Sequence, residues 1–385
     1  MDFTLRVARN ALNFGMFGVS GKNYHLSRGC MFWRLFTHWV GGMGVLVFIM
    51  AVLPMNGEHS MHIMRAEVPG PVVGKLVPRV RKTALILYFI YTGLTLLETV
   101  LLMLGGMSFY EALLHAFGTA GTGGFSTRAA SVGGFNSLYV ELVIGIFLIL
   151  FGTNFNLFYL VLIGRWRDAA KSEELHWYWG ILAVSTLAIA AGITKMYGGF
   201  GIALLHAFFN VTSLISTAGF GTVDFTAWPA YTQGIIILLM FIGGCAGSTG
   251  GGLKLSRVML LVKTAAADVQ RVIHPRRVTR VQMDGQRVTQ DTAAAVYTYF
   301  ALYMLFLLLC MFLVSFDGFD FTVNFTAALS CMSNVGPGLG LIGPSGNYGI
   351  FSDLSKIVMS LTMLFGRLEI YAMLVLFIPS AGHRK

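Results

Sequence analysis

The chain has 385 residues, of which 56% are hydrophobic and 11% charged, and its mean hydropathy is +0.71. A soluble domain carries roughly a quarter of its residues as charged ones, so that class is excluded. Lys and Arg outnumber Asp and Glu by 27 to 17, but the excess is gathered in a few connections. That pattern points to membrane orientation and argues against nucleic-acid binding.

Taken in chain order, Met1–Asn13 contains Arg6 and Arg9 but not the apolar core of a cleaved leader. Phe32–Leu53 reads as the closing span of a first unit, residues 1–64. The stretch before it is too short for a span and a half-span. Asn13–Gly18 lies near the place of a loop but lacks its threonines. Arg34 reads as an interfacial anchor beside Trp33 and Trp39. The second unit, residues 65–170, runs span (Ala84–Leu104), half-span (Phe109–Phe117), glycine-rich loop, span (Leu138–Ile163). The third, 171–270, repeats the order with Trp177–Lys195, Ile202–Ile215, a loop and Tyr231–Val262. The fourth follows a basic linker within 271–385, with Ala293–Phe316, Phe321–Met332, a loop and Leu354–Ile378. A half-span cannot cross a hydrocarbon core of roughly 30 Å, so each must re-enter and return through its loop. The prediction is an all-α polytopic membrane protein of pseudo-fourfold membrane helix, pore loop, membrane helix repeats, the first incomplete.

The loops align. Thr122-Gly-Gly-Phe-Ser-Thr127 and Thr217-Ala-Gly-Phe-Gly-Thr222 both follow a Leu-Leu-His-Ala-Phe entry, and Asn334-Val-Gly-Pro-Gly338 keeps the central glycine. Basic residues collect between units: Arg65, Lys75, Arg79, Arg81 and Lys82; Arg165, Arg167 and Lys171; Lys263, Arg271, Arg276, Arg277, Arg280 and Arg287; and Arg384 with Lys385 at the end. The stretches after the glycine loops of the second and third units hold only Arg128. The inter-unit connections are therefore expected in the cytoplasm and the loops on the outer side.

Non-helical backbone at membrane depth leaves carbonyls that only protein or a water-filled path can satisfy, and several such loops around one axis would make a cation filter. The residues assigned to it are Thr122, Gly123, Gly124 and Phe125; Thr217, Ala218, Gly219 and Phe220; and Asn334, Val335, Gly336 and Pro337. Gly123, Gly124, Gly219 and Gly336, with Gly221 and Gly338 one step on, permit unusual backbone angles. Thr122, Thr127, Thr217 and Thr222 can add hydroxyl oxygens or brace the loops. The loops hold no acidic residue, Asp224 coming after Thr222, so neutral oxygens suit a monovalent ion better than a divalent one. Ordinary external turns are the alternative; three loops in register, each behind a half-span, favour the filter.

The run Gly243, Gly244, Cys245, Ala246, Gly247, Ser248, Thr249, Gly250, Gly251, Gly252 is predicted to break the third unit's long span, since each helical glycine costs about 1 kcal/mol relative to alanine. It reads as a gating segment on the cytoplasmic side of the filter; the alternative is a helix-packing stretch of small residues. Arg367 lies in an apolar run with Glu369 nearby. An ionisable group there is expensive and faces a cavity or a partner. Arg367 reads as a fixed positive charge that meets the broken segment and sets a barrier, with a structural pairing to Glu369 or a carbonyl as the alternative.

Other motifs fail on context. Gly338–Gly343 fits G-x-G-x-x-G, but no strand precedes it and Pro344 follows; Gly247–Lys254 is only loosely a phosphate loop, with Leu255 where Ser or Thr is needed. His59 and His62 beside Glu58 miss the metalloprotease spacing. His115 and His206, at matching repeat positions, suit helix packing or capping. Cys30, Cys245, Cys310 and Cys331 are scattered and suggest packing rather than disulfides or a metal site. No nucleophile and base set supports an enzyme.

Phe32–Gly44, Thr122–Thr127, Thr217–Thr222, Gly243–Lys254, Asn334–Gly338 and Leu364–Glu369 together resemble the membrane subunit of Trk-type potassium uptake systems, within the wider Trk/Ktr/HKT superfamily. The Asn-Val-Gly-Pro-Gly loop favours the Trk branch. The resemblance implies four repeats around one potassium pathway in a bacterial inner membrane, the glycine-rich loop at Gly243–Gly252 as gate, and an arginine matching Arg367 below the filter. It also implies a homodimer and a cytosolic nucleotide-binding regulatory partner, which would meet the basic loops around Arg271–Arg280 and the C-terminal end. Potassium is the expected substrate, with no covalently bound cofactor. A full family member begins with a further span, half-span and filter loop, which this sequence does not display. A sodium- or proton-coupled carrier of another solute is the second class; ionisable residues near the midplane would favour it, and Arg367 and Glu369 approach that description.

Overall fold

The computed structural model describes residues 27–44, 80–274, 276, 281–368 and 370–376. The expectations on Asn13–Gly18, Glu58, His59, His62, Arg277, Arg280, Glu369 and the C-terminal end lie outside the described residues.

The first unit contributes α1 (Arg28–Gly42). The second contributes α2 (Val80–Leu104), α3 (Phe109–Ala120), α4 (Leu138–Gly152) and α5 (Phe155–Leu162), followed by the short α6 (Trp166–Ala170). In the third lie α7 (Glu173–Ile193), α8 (Phe200–Ile215), α9 (Ala230–Ile242) and α10 (Leu255–Ile273). A small hairpin follows, β1 (Gln282–Met283) and β2 (Gln286–Arg287). The fourth contains α11 (Gln290–Val314), α12 (Phe321–Ser333), α13 (Asp353–Arg367) and α14 (Ile370–Leu376). Among the described residues, α2 over Ala84–Leu104, α7, and α11 with its extension to Asp317 are long and apolar enough to cross a membrane.

Within each unit the span packs on its half-span: α2 on α3, α7 on α8, α11 on α12. Between units, the helix that follows a glycine loop packs on the next unit's half-span, α4 on α8 and α9 on α12; α1 meets α3 in the same way. That recurring contact arranges the half-spans around a common axis. The half-spans are polar yet buried, with Asn210, Thr212 and Ser213 in α8 and Asn324, Thr326 and Ser330 in α12. Burying such a group costs free energy unless it is hydrogen-bonded. Thr119 Oγ1 donates to the His115 carbonyl, Thr326 Oγ1 to that of Thr322, and Ser213 Oγ to that of Phe220.

Three departures from the sequence reading stand out. Leu138–Ile163 is not one continuous helix: α4 and α5 meet at Thr153–Asn154 with a bend of 91°. Asn154 caps α5 by accepting from Asn156 N–H, and the Phe155 N–H leaves the helix ladder to donate to the Gly247 carbonyl. The run Leu354–Ile378 likewise divides, α13 ending at Arg367. Arg367 is thus the last residue of a helix, where a cation complements the macrodipole. Arg34, finally, is no interfacial anchor: it is buried, with its guanidinium carbon 3.9 Å from the centre of the Phe125 ring.

A candidate ion pathway and its gate

The three half-spans end alike. Thr122, Thr217 and Asn334, the first residues of the three loops, have φ of 55°, 60° and 57°, and two residues on Gly124, Gly219 and Gly336 have 63°, 79° and 109°. At each end the left-handed residue donates its N–H three residues back: Thr122 to Thr119, Thr217 to Leu214, Asn334 to Cys331. The next residue donates five back: Gly123 to Gly118, Ala218 to Ser213, Val335 to Ser330. This is the Schellman helix end, usually closed by glycine or asparagine; threonine occupies it twice here. Three helices therefore terminate in register and aim the negative ends of their dipoles at one place, a cation-favouring feature that residue patterns alone do not reveal.

The loops also touch. A Cβ built on Gly124 would lie 2.1 Å from the Ala218 carbonyl oxygen, and one on Gly219 2.1 Å from that of Val335. Gly133 N–H donates to the Gly221 carbonyl at 3.2 Å, joining the Thr122 and Thr217 loops further out. On the other side of the Thr122 loop, His38 Nε2 lies 2.9 Å from the Gly121 carbonyl oxygen. Not all the assigned carbonyls are equally free. That of Phe220 accepts from Ser213 Oγ at 2.7 Å, and that of Gly336 from Tyr348 Oη at 2.7 Å. The rings of Phe125 and Phe220 are buried in packing. His115 is fully buried, with Nδ1 2.7 Å from the Glu111 carbonyl oxygen and Nε2 2.9 Å from Ser126 Oγ; His206 packs on Tyr197.

The segment Gly243–Gly252 runs across the inner ends of these half-spans. A Cβ on Gly250 would lie 2.9 Å from the Ser216 carbonyl oxygen, and one on Gly251 2.3 Å from that of Ser333, the residues just before two of the loops. Thr122 Oγ1 donates to the Thr249 carbonyl at 3.0 Å, and Gly251 N–H donates to Thr217 Oγ1 at 2.6 Å. Thr122 and Thr217, which open two of the glycine loops, thus reach the broken segment with their side chains. Its other side is tied to the break between α4 and α5: Cys245 N–H donates to Gly152 and Thr249 N–H to Phe151. Lys254 folds back so that its ammonium donates to the Gly250 carbonyl. Sequence alone offers Lys254 only as a phosphate-loop lysine.

Arg367 forks between two elements. Nη1 donates to the Thr249 carbonyl at 3.0 Å, and Nη2 to the carbonyls of Gly41 at 3.0 Å and Gly42 at 3.3 Å at the end of α1. Gly366 makes the approach possible, since a Cβ there would lie 1.9 Å from the Met332 carbonyl oxygen. Glu98 escapes the sequence reading. It is fully buried in α2 beside Thr119, whose hydroxyl donates to the His115 carbonyl. A lone acid within an apolar span was the signal available.

Membrane-crossing helices alternating with buried half-helices that point their C-termini at one axis define an all-α, multi-pass membrane protein of the cation-transporting kind. The chain belongs to the TrkH family of cation transport proteins, which it matches over residues 15–176 and 186–384. It is 35% identical over 361 residues to the Trk system potassium uptake protein TrkH of Escherichia coli K12, covering 92% of this chain and 74% of that one. To the potassium uptake protein TrkG of the same organism it is 33% identical, covering 91% of this chain and 73% of the relative. The crystal structure of the potassium transporter TrkH from Vibrio parahaemolyticus superposes with a TM-score of 0.83 at 33% identity, covering 96% of this chain and 76% of that one.

Proposed function

We propose that this chain takes up potassium across the bacterial inner membrane through a channel-like pore. Backbone carbonyls of Thr122–Phe125, Thr217–Phe220 and Asn334–Pro337 form the filter, Gly243–Gly252 is the gate, and Arg367 is the barrier charge. One observation carries the reading: three Schellman-ended half-helices whose loops pack edge to edge, Gly124 on Ala218 and Gly219 on Val335. Carbonyl oxygens so placed can replace the water shell of an alkali ion. The relatives' names as potassium uptake proteins support the choice of ion. In this reading the gate works by position, its carbonyls and Arg367 filling the path just inside the filter. Assembly with a second copy, and with a cytosolic nucleotide-binding subunit on the basic connection after α10, belongs to the same proposal on family resemblance.

The test is growth of a bacterium lacking potassium uptake on low potassium. The parent chain is expected to restore growth and G219S not to; no rescue by the parent, or equal rescue by both, overturns the reading. A second reading, a sodium- or proton-coupled carrier, draws on the buried Glu98 carboxylate. It requires uptake to collapse when the coupling gradient is abolished at constant membrane potential.

A further inference from the structure

The gate segment is held from outside the pore by a carboxylate that the pathway itself does not use. Glu174 is buried in the first turn of α7, and its Oε1 accepts the Ala246 N–H at 2.7 Å. A buried backbone N–H needs a partner, and the Glu174 carboxyl oxygen supplies it. Ala246 lies three residues before Thr249, whose carbonyl receives both Thr122 Oγ1 and Arg367 Nη1.

The helix carrying Glu174 is itself fixed by the hairpin. Ser172 at the start of α7 makes no side-chain cap; Asp284 Oδ1 accepts the Glu173 N–H instead, at 2.7 Å. Asp284 and Gly285, with φ of 50° and 74°, form the two-residue turn between β1 and β2, the geometry of a type I′ hairpin. Lys263 of α10 ties the knot, pairing with the Glu173 carboxylate and donating to the Gln282 carbonyl at 2.9 Å. From hairpin to gate the path therefore runs Asp284, Glu173, Glu174, Ala246.

We propose that Glu174 is a positioning residue for the segment Gly243–Gly252, and that the hairpin Gln282–Arg287 sets its register from the basic face of the protein. The proposal rests on reading that segment as the gate. Something that moves the hairpin, on the side where basic residues cluster, would reach the gate through one helix terminus and one carboxylate. Loss of the carboxylate strands the Ala246 N–H, so the segment shifts toward water and ceases to fill the path.

The test uses the full chain in inside-out membrane vesicles, with rubidium flux and the reactivity of Cys245 toward a membrane-impermeant thiol reagent as paired readouts. Cys245 is buried beside Ala246, and C30S removes the exposed cysteine from the background. E174A is expected to raise flux about tenfold, the scale of the cost of stranding one buried donor, and to make Cys245 reactive. E174Q keeps an acceptor oxygen and is expected to restore both to parental values. D284A is expected to shift both in the same direction, and the double variant E174A/D284A to match E174A alone. Unchanged Cys245 reactivity in E174A overturns the positioning role, and effects that multiply in the double variant overturn the hairpin link. Should E174A fail to insert, D284A on the exposed turn decides through the same labelling: no gain in reactivity overturns the proposal. R367A separates the two readings. If Cys245 becomes reactive while neither E174A nor R367A alters flux, the gate assignment has failed and the positioning stands.

Discussion

At Gly219 an added Cβ would meet the Val335 carbonyl oxygen at 2.1 Å while the backbone stays at a φ of 79°. Both effects oppose a side chain. A left-handed residue costs roughly 1–2 kcal/mol, and the contact pushes apart two loops that pack against each other. G219S and G124S are each expected to lower potassium over sodium discrimination by about tenfold, the equivalent of about 1.4 kcal/mol; unaltered permeability ratios in a flux assay count against the filter. Gly336 meets nothing within 4 Å among the described residues, so G336S is expected to act through backbone strain alone and to fall short of G219S. For Arg367, R367A is expected to raise basal flux. R367K keeps the charge but loses the planar fork that joins Thr249 to Gly41 and Gly42, and is expected to lie between R367A and the parent. Equal flux in all three would remove the barrier role.

Element ends matter more here than element middles. The C-termini of α3, α8 and α12 set the loops, and the break between α4 and α5 receives the segment Gly243–Gly252 through Gly247 and Cys245. The end of α13 must come close enough to deliver Arg367, and Gly366 against Met332 sets that distance. G366A cannot keep the contact, so α13 is expected to retreat, with a thermal midpoint lowered by several degrees and flux raised toward that of R367A. A parental midpoint with parental flux would show that α13 is not so constrained. N154A removes the cap of α5 and is expected to cost about 1 kcal/mol in thermal unfolding of the detergent-solubilised protein. Half of this was legible from residue patterns. The glycine run announced the break after α9 because helix propensity falls with every glycine. The break at Thr153–Asn154 was not, because its stability comes from Gly247 and Cys245, far along the chain in the next unit. The Schellman ends at Thr122 and Thr217 were also hidden, since threonine ordinarily avoids that conformation and only the surrounding packing imposes it.

For the whole molecule, an ion bound among several units should stabilise their assembly by mass action. Potassium at about a hundred times its dissociation constant is expected to contribute about 2.7 kcal/mol, read as a rise in thermal midpoint that choline does not reproduce and sodium reproduces less well. A midpoint indifferent to the cation would leave the loops without a shared site. The class of protein and its helical make-up follow from the linear text, because hydropathy is a sum over local residues and internal repetition survives in it. Closure of the chain in three dimensions was needed for the rest. It brings the Thr122, Thr217 and Asn334 segments together, lays Thr249, Gly250 and Gly251 across them as part of one strap ending at Lys254, and lets Glu174 and Arg367 grip that strap. Those are contacts between residues about 30 to 330 positions apart, and they exist only once the units have closed on one another.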